Sequence, residues 1–295
     1  MNSSDTSGSQ GLQVDRIQQF LATEYFGTGH RLIYTPTIDS TNTLAMRLAQ
    51  EGSEEGVVVL TNSQTAGKGR QGRKWIDVAG NHALSSTILR PSFAPHFLVM
   101  IASLAVVDAI ADTCSCVATI KWPNDILIED RKVAGILIET RFDPEGKLIA
   151  IVGIGVNVKG TIPPLEALQA HSPPATSGLY YQAITLEEAS GQVIEREAFI
   201  AHLLHHLENR YLALQQAFHT DHSGAPLVAR LLRENWRAHL ATLGRAVQVR
   251  QGNQLLSGVA EDVNEHGELL LRDHSGRHIC ITWGDVELLP RIDNH

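Results

Sequence analysis

The glycine-rich segment TAGKGRQGRKW, residues 65–75, raises the question of whether the chain has a dinucleotide-binding Rossmann fold or a different α/β fold. Its three glycines have the G-x-G-x-x-G spacing of a dinucleotide-binding loop, and the apolar, β-branched run before them predicts a strand. A Rossmann unit also needs a helix directly after the glycines and an acidic residue about 20 positions later. The following stretch shows no helical stripe, and no acidic residue occurs between Asp77 and Asp108. The loop is therefore predicted to belong to a different α/β fold.

The same loop concentrates positive charge in an acidic chain. Lys68, Arg70, Arg73 and Lys74 lie in a protein whose formal net charge is −8, so the cluster indicates a local anion. A P-loop is excluded because G-x-x-x-x-G-K-[ST] cannot be written here. Guanidinium groups meet phosphate oxygens through paired hydrogen bonds. We predict a flexible loop that clamps phosphate; a solvated, charged turn is the alternative interpretation.

The segment KWPNDILIEDRKVAGILIE, residues 121–139, predicts two strands joined at an acidic-basic corner. Lys121 precedes a proline turn that is expected to aim Asn124 and Asp125 away from the sheet. Lys132 follows the corner and precedes small residues. Two ammonium groups and one carboxylate suit phosphate chemistry, with the carboxylate as a candidate metal ligand. Surface lysines that flank a hairpin are the alternative.

Two further segments place polar groups at the ends of apolar elements. DSTN, residues 39–42, begins a predicted helix that carries an apolar face and ends near Gly52. Its polar groups either cap that helix or face a polar heterocycle. GIGVNV, residues 153–158, ends a predicted buried strand at Asn157. A buried amide needs hydrogen-bond partners, and a ligand could supply one.

The remaining pattern predicts two folded domains after a short disordered tail. The tail covers residues 1–14, an α/β domain 15–242, and a small all-β domain 243–295, where short alternating runs are split by turns. Residues 97–112 predict a buried helix and 159–178 a surface loop, and a later helix is predicted to end at Gly244.

Composition limits the cellular setting. Three cysteines, two of them one residue apart, do not form a disulfide framework, which indicates a cytoplasmic location. We expect no apolar run to approach the roughly 18–20 residues that a membrane-spanning helix needs, and therefore expect no association with a membrane. The net negative charge of the chain argues against binding of nucleic acid over a broad basic surface.

Taken together, DSTN, QTAGKGRQGRKW, KWPNDILIEDRKVAGILIE and GIGVNV resemble the biotin protein ligases in order and spacing, from about residue 30 to the C-terminus. The resemblance implies an α+β catalytic domain with a central mixed sheet, similar to class II synthetases, and a C-terminal SH3-like barrel. It implies activation of biotin by ATP and Mg²⁺ to biotinyl-5′-AMP and pyrophosphate. Biotin would then pass to one lysine of a biotin carboxyl carrier protein.

By motif position the resemblance also implies site residues. Those expected to bind biotin are Ser40, Thr41, Asn42, Gln64, Lys68, Gly69, Arg70 and Lys132. Those expected to bind ATP or phosphate are Gly67, Gly72, Arg73, Lys121, Asn124, Asp125 and Asn157. Arg70 and Lys132 are the expected catalytic residues, and Asp125 is the candidate Mg²⁺ ligand. Trp75 is interpreted as a packing residue.

The sequence departs from the family pattern at the loop and at both flanks of the site. Lys68 and Gln71 stand where many relatives have arginine, and residues 159–180 contain no tryptophan to stack on adenine. About 30 residues precede the first motif, which predicts that the DNA-binding domain of the repressor-type members is absent. We expect a monomer or homodimer without nucleic-acid or membrane partners. A lipoate–protein ligase, a non-enzymatic biotin-responsive regulator and a dinucleotide-dependent oxidoreductase are the rival hypotheses.

Overall fold

The computed structural model describes residues 11–75, 80–162, 182–220 and 225–289, and these form two β-sheets and six helices. The helices are α1 (Val14–Phe20), α2 (Thr41–Gln50), α3 (His96–Thr113), α4 (Leu186–Ser190), α5 (Arg196–Thr220) and α6 (Ala225–Ala238). The first sheet contains β1 (Leu32–Ile38), β2 (Val58–Gln64), β3 (His82–Leu89), β4 (Thr119–Lys121), β5 (Asp125–Ile128), β6 (Arg131–Phe142) and β7 (Leu148–Asn157). The second contains β8 (Ala246–Gln251), β9 (Gln254–Val263), β10 (Leu269–Asp273), β11 (His278–Ile281) and β12 (Asp285–Leu288).

The first sheet is mixed, as predicted. Its strand order is β1-β2-β3-β7-β6-β5-β4; β1 and β2 are parallel and every other neighbouring pair is antiparallel. The long β6–β7 ladder sets Gly135 opposite Gly155 and Leu137 opposite Gly153. Three glycines therefore leave a shallow strip without side chains in the middle of the sheet.

Helix α2 covers one part of this sheet with the apolar face that its sequence predicts. Leu44, Ala45 and Ala49 are buried against β-branched residues of β2, β3 and β7. This packing fixes the N-terminal end of α2, where the DSTN segment lies, beside the glycine strip.

Helix α3 corrects one expectation. Its 18 residues are, by length and composition alone, apolar enough to cross a membrane. The prediction that no run approaches this length is wrong, because isolated polar residues such as Asp108 interrupt the apolar run without lowering its average hydropathy much. Leu98, Ile101 and Leu104 are buried in the main core, and α3 packs against α5 and the sheet. A helix that is apolar almost all round is typical of such a core position.

Helix α6 ends at Ala238, six residues before the predicted stop at Gly244. The backbone of residues 239–241 instead pairs with the edge strand β4: Ile120 N–H donates to the His239 carbonyl at 2.8 Å, and Ala241 N–H donates to the Ile120 carbonyl at 2.9 Å. Pairing at an open sheet edge replaces continuation of the helix. The predicted surface loop at 159–178 falls mostly outside the described residues.

The second sheet is antiparallel, with the order β11-β10-β9-β8-β12. It contacts the first part of the chain at the KWPND segment, where the Trp122 indole N–H donates to the Gly267 carbonyl at 2.8 Å. A side chain at Gly267, whose φ is +76°, would come within 2.6 Å of Met100 Cε. Glycine at this turn therefore allows the close approach of the two parts.

Candidate active site

A cavity lies where the glycine loop, the start of α2 and the glycine strip of β6 and β7 meet. It is lined by Ser40, Thr41, Asn42, Gln64, Lys68, Gly69, Arg70, Trp75, Leu84, Ser85, Asn124, Lys132, Gly135, Ile136, Leu137, Gly153, Ile154 and Gly155. All eight residues predicted to bind biotin are among them, so the fold brings three separated motifs to one place.

The glycine loop forms a short hairpin that lines this cavity. Gly69 N–H donates to the Arg73 carbonyl at 2.7 Å, and Trp75 N–H donates to the Gly67 carbonyl at 3.0 Å. Gln71 at the tip has a φ of 57°, in the left-handed region that non-glycine residues adopt infrequently. The loop is thus ordered by its own backbone, and Arg70 is held at its turn.

Arg70 joins the loop to the KWPND segment. Its guanidinium donates to Asn124 Oδ1 at 2.9 Å, and the Asn124 amide donates to the Ile136 carbonyl at 2.8 Å. Burial lowers the pKa of Arg70 from its usual value, against the opposing effect of Asp285 and Asp125. Arg70 lines the cavity and ties the glycine loop to the KWPND segment, residues 121–125.

The charged centre consists of one carboxylate between two ammonium groups. Lys132 Nζ lies 2.7 Å from Asp125 Oδ1, and Lys121 Nζ lies 3.6 Å from Asp125 Oδ2. Burial alone would raise the pKa of Asp125, but Lys132 and Lys121 outweigh it and hold that pKa below its ordinary value. Burial lowers the pKa of Lys121 to about 8. The centre carries one net positive charge when both lysines are protonated.

Asp125 also differs from its predicted placement. It is the first residue of β5 and is paired in register with Lys121 and Gly135. The prediction that the proline turn aims it away from the sheet is wrong, because the turn is compact enough for strand pairing to resume at once.

The far end of the cavity has a polar floor. Gln64 Oε1 accepts from the Thr41 backbone N–H at 2.8 Å, and Ser86 Oγ lies 2.8 Å from Thr41 Oγ1 and 2.6 Å from Asn42 Oδ1. Ser40 occupies the N-cap of α2, but its side chain makes no capping hydrogen bond. Of the two interpretations of the DSTN segment, the geometry favours side chains that serve a cavity.

Trp75 forms an apolar wall of the cavity and is not simply a packing residue. Its ring lies so close to the glycine strip that a Cβ at Gly155 would be 2.8 Å from its Cε2 and Cζ2 atoms. Lys132 Nζ is 5.6 Å from the ring centroid. The buried indole N–H has no hydrogen-bond partner in the described part of the chain. A glycine inside a predicted strand, as at Gly155 of GIGVNV, is the signal in the sequence that another group approaches the strand closely.

Some predicted ATP-binding residues lie outside the cavity lining. Asn157 is buried, and its amide donates to the carbonyls of Lys132 and Ile184 at 3.3 and 3.2 Å, so the protein itself supplies its partners. Arg73 points to the second sheet, where it pairs with Asp285. Gly67, Gly72 and Lys121 support the loop and the charged centre without lining the cavity.

Metal ligands are sparse in this region. Across the described ranges, no group of three or more His, Cys, Asp or Glu side chains could hold a metal ion. Both oxygens of Asp125 face lysine ammonium groups. The carboxylate that the sequence singles out for Mg²⁺ is thus already neutralised by protein cations.

Two parts of the chain match models of known protein families. Residues 34–158 match the biotin/lipoate A/B protein ligase family, and residues 242–289 match the biotin protein ligase C-terminal domain. The biotin–[acetyl-CoA-carboxylase] ligase of Paracoccus denitrificans is 35% identical over 246 residues, which cover 82% of this chain and 94% of that protein. The bifunctional ligase/repressor BirA of Bacillus spizizenii is 34% identical, over 94% of this chain and 79% of its own length. A biotin protein ligase from Aquifex aeolicus, solved in complex with biotin and ATP, has a similar fold, with a TM-score of 0.69 and 24% identity over 88% of this chain and 100% of that chain.

Proposed function

The chain belongs to the biotin/lipoate A/B protein ligase family, and on that premise we propose that it is a biotin–[acetyl-CoA-carboxylase] ligase. It activates the carboxylate of biotin with ATP, which gives biotinyl-5′-AMP and pyrophosphate. It then transfers the biotinyl group to one lysine of a biotin carboxyl carrier protein. The observation that carries this proposal is that one cavity joins a cationic centre at one end to a neutral polar floor at the other.

The cationic end supplies what adenylation requires. A carboxylate and an α-phosphate are both anions, and their repulsion must be neutralised before the carboxylate oxygen attacks phosphorus. Lys132 lies at the cavity wall and holds the biotin carboxylate against the α-phosphate. Lys121 adds positive charge from beneath, and pyrophosphate leaves toward the KWPND segment.

The polar floor and the apolar walls fit the other end of biotin. Thr41, Asn42 and Gln64 offer hydroxyl and amide groups to a ureido ring, while Trp75, Leu84 and Ile154 contact the thioether ring and the alkyl chain. The glycine loop covers the product. A mixed anhydride hydrolyses readily, so Arg70 and the loop keep water out until the carrier lysine attacks the carbonyl carbon and releases AMP.

Mg²⁺ does not fit a protein-held site at Asp125, since both carboxylate oxygens already face lysines. Mg²⁺ usually keeps several waters and binds substrate phosphates together with one or two carboxylates. We propose that any Mg²⁺ enters with ATP, and we assign it no protein ligand.

The test is ATP-dependent labelling of a carrier domain with biotin or lipoate as competing substrates. Biotin should be transferred and lipoate should not, because lipoate lacks the ureido group that the polar floor would bind. Equal or preferential use of lipoate would support the rival ligase, and no pyrophosphate release with either acid would support a non-enzymatic regulator. The absence of DNA binding, the cytoplasmic location and a monomeric or homodimeric state remain predictions from the sequence.

A further inference from the structure

Glu139 lies just outside the cavity and joins two parts of the site that are distant in sequence. It follows Gly135 and Leu137 at alternate positions of β6, so its side chain projects on the same face of the sheet. Its Oε2 accepts from the Asn42 amide at 2.8 Å, and its Oε1 lies 3.3 Å from Lys68 Nζ. One carboxylate thus contacts both the DSTN segment and the glycine loop.

The contact with Asn42 fixes the direction of a chain of hydrogen bonds. A carboxylate only accepts, so the atom of Asn42 that faces Glu139 is the amide nitrogen, and Oδ1 faces Ser86. Ser86 has one hydroxyl proton, which goes to Asn42 Oδ1 at 2.6 Å. Ser86 Oγ then has no proton left for Thr41 Oγ1, which lies 2.8 Å away, so a hydrogen bond between these two hydroxyls would have to be donated by Thr41.

Thr41 therefore presents lone pairs to the cavity. Its proton goes either to Ser86 or to Gln64 Oε1, which lies 3.2 Å away, and in both cases it is used inside the protein. The hydroxyl can then only accept a hydrogen bond from a ligand. That polarity selects a ligand with an N–H donor, such as a cyclic urea.

The buried position of this chain makes its direction stable. Thr41 and Asn42 are each 4% exposed and Ser86 is fully buried. Gly153 makes room for Asn42, since a Cβ there would lie 2.1 Å from Asn42 Oδ1. The Asn42 amide nitrogen also lies 3.5 Å from the Leu137 carbonyl, at the limit of a hydrogen bond. Loss of the Glu139 acceptor would leave only this long contact for a buried amide N–H, which weakens the hold on the orientation of Asn42.

We propose that Glu139 is a positioning residue for biotin recognition: it sets the proton direction of the Asn42–Ser86–Thr41 chain and, through Lys68, latches the glycine loop over the ligand. This inference rests on the proposed function. The two roles differ in strength, because the Lys68 and Glu139 side chains are 42% and 34% exposed, whereas Asn42 is buried. Half-exposed ion pairs contribute little free energy, so this latch, the ion pair between Lys68 and Glu139, is expected to have the smaller effect on ligand retention.

Three variants separate the roles. Glu139→Gln removes the charge but can still offer an amide oxygen to Asn42. Glu139→Leu removes both contacts at similar size, and Lys68→Met removes the contact between the loop and Glu139 while it leaves the contact between Glu139 and Asn42 in place. Each is measured for KM of biotin, kcat of pyrophosphate release and the dissociation rate of pre-formed adenylate, with thermal unfolding as a check on folding.

Glu139→Leu should raise KM for biotin about fivefold to a hundredfold, the range for a buried polar group without its partner, and should change kcat less. Glu139→Gln should keep KM near the wild-type value. Glu139→Gln and Lys68→Met should each speed adenylate dissociation about two- to fivefold, and the double variant should be no faster than either single variant.

Failure of this inference is distinguishable from failure of the proposed function. If wild-type protein releases no pyrophosphate with biotin and ATP, the proposed function fails. If wild-type protein is active but Glu139→Leu and Glu139→Gln have the same KM for biotin, Glu139 does not set the polarity of the floor. Additive effects of Glu139→Gln and Lys68→Met on adenylate dissociation would rule out the latch. If Glu139→Leu does not fold, Glu139→Gln and Lys68→Met still test whether the contact between Lys68 and Glu139 holds the loop over the ligand. Ser86→Ala breaks the same hydrogen-bond chain, so it tests the polarity of the floor by the same expected rise in KM for biotin.

Discussion

Asp125 lies between Lys132 and Lys121, at 2.7 Å from one ammonium nitrogen and 3.6 Å from the other. Two ammonium groups beside one carboxylate give this buried centre a net positive charge when both lysines are protonated. A net positive charge in a buried site favours the binding of an incoming phosphate or carboxylate. The arrangement therefore holds Lys132 in place before the substrates bind and leaves charge for them.

The low pKa of Lys121 predicts a pH dependence. Burial lowers this pKa to about 8, so the ammonium is present below that pH and is lost as the pH rises through it. The kcat/KM for ATP should be flat below about pH 8 and fall by about tenfold per pH unit above it. In Lys121→Arg the guanidinium stays charged, so its profile should lose this fall even if its rate is lower throughout. Identical profiles for the two proteins would show that another group causes the fall.

Arg70 is predicted to retain the adenylate. Arg70→Ala removes the guanidinium that bridges the loop to Asn124, and a hydrogen bond to a charged group contributes about 1.5–3 kcal/mol. Biotinyl-5′-AMP should then dissociate about ten- to a hundredfold faster, which filtration of the pre-formed complex measures. Asn124→Ala is the matched control, because it removes the partner while Arg70 remains. A wild-type dissociation rate in Arg70→Ala would contradict a clamp.

The contact of Trp75 with the glycine strip predicts a steric effect. Gly155→Ala places a methyl group where Trp75 Cε2 and Cζ2 are 2.8 Å away, so the ring must move toward the cavity. We expect kcat/KM for biotin to fall about tenfold or more, since displacement by about 1 Å can cost up to a hundredfold in rate. Adding Trp75→Phe should restore part of the loss because the smaller ring clears the methyl group. If the double variant is worse than both single variants, the ring does not define this wall.

The sequence predicted those parts of the molecule that depend on local chemistry. Short apolar runs predicted strands of the mixed sheet, alternating runs predicted those of the second sheet, and the corner at Glu129 and Asp130 predicted the β5–β6 hairpin. The motifs also named nine of the eighteen residues that line the cavity. These predictions succeed because turn residues, strand periodicity and motif spacing act over a few neighbouring positions.

What the sequence did not predict depends on contacts between distant segments. The role of Trp75 requires Gly155 opposite it across the fold, and the role of Glu139 requires Asn42, 97 residues away in sequence. The end of α6 at Ala238 depends on an open sheet edge at Ile120. In each case the decisive partner is supplied by tertiary structure, which overrides local propensity.

Lys132 tests the central claim most directly, because its ammonium is proposed to hold the biotin carboxylate against the α-phosphate. The measurement compares pyrophosphate release from biotin and ATP with transfer from synthetic biotinyl-5′-AMP to a carrier domain, for wild type, Lys132→Ala and Lys132→Arg. Lys132→Ala should slow pyrophosphate release by about a hundredfold or more, the scale for one oriented electrostatic donor. Transfer should suffer less, because the anhydride is already activated. Lys132→Arg should not restore the full rate, since a planar fork does not replace a point charge at one oxygen. Pyrophosphate release near the wild-type rate in Lys132→Ala would show that Lys132 is not at the centre of the reaction.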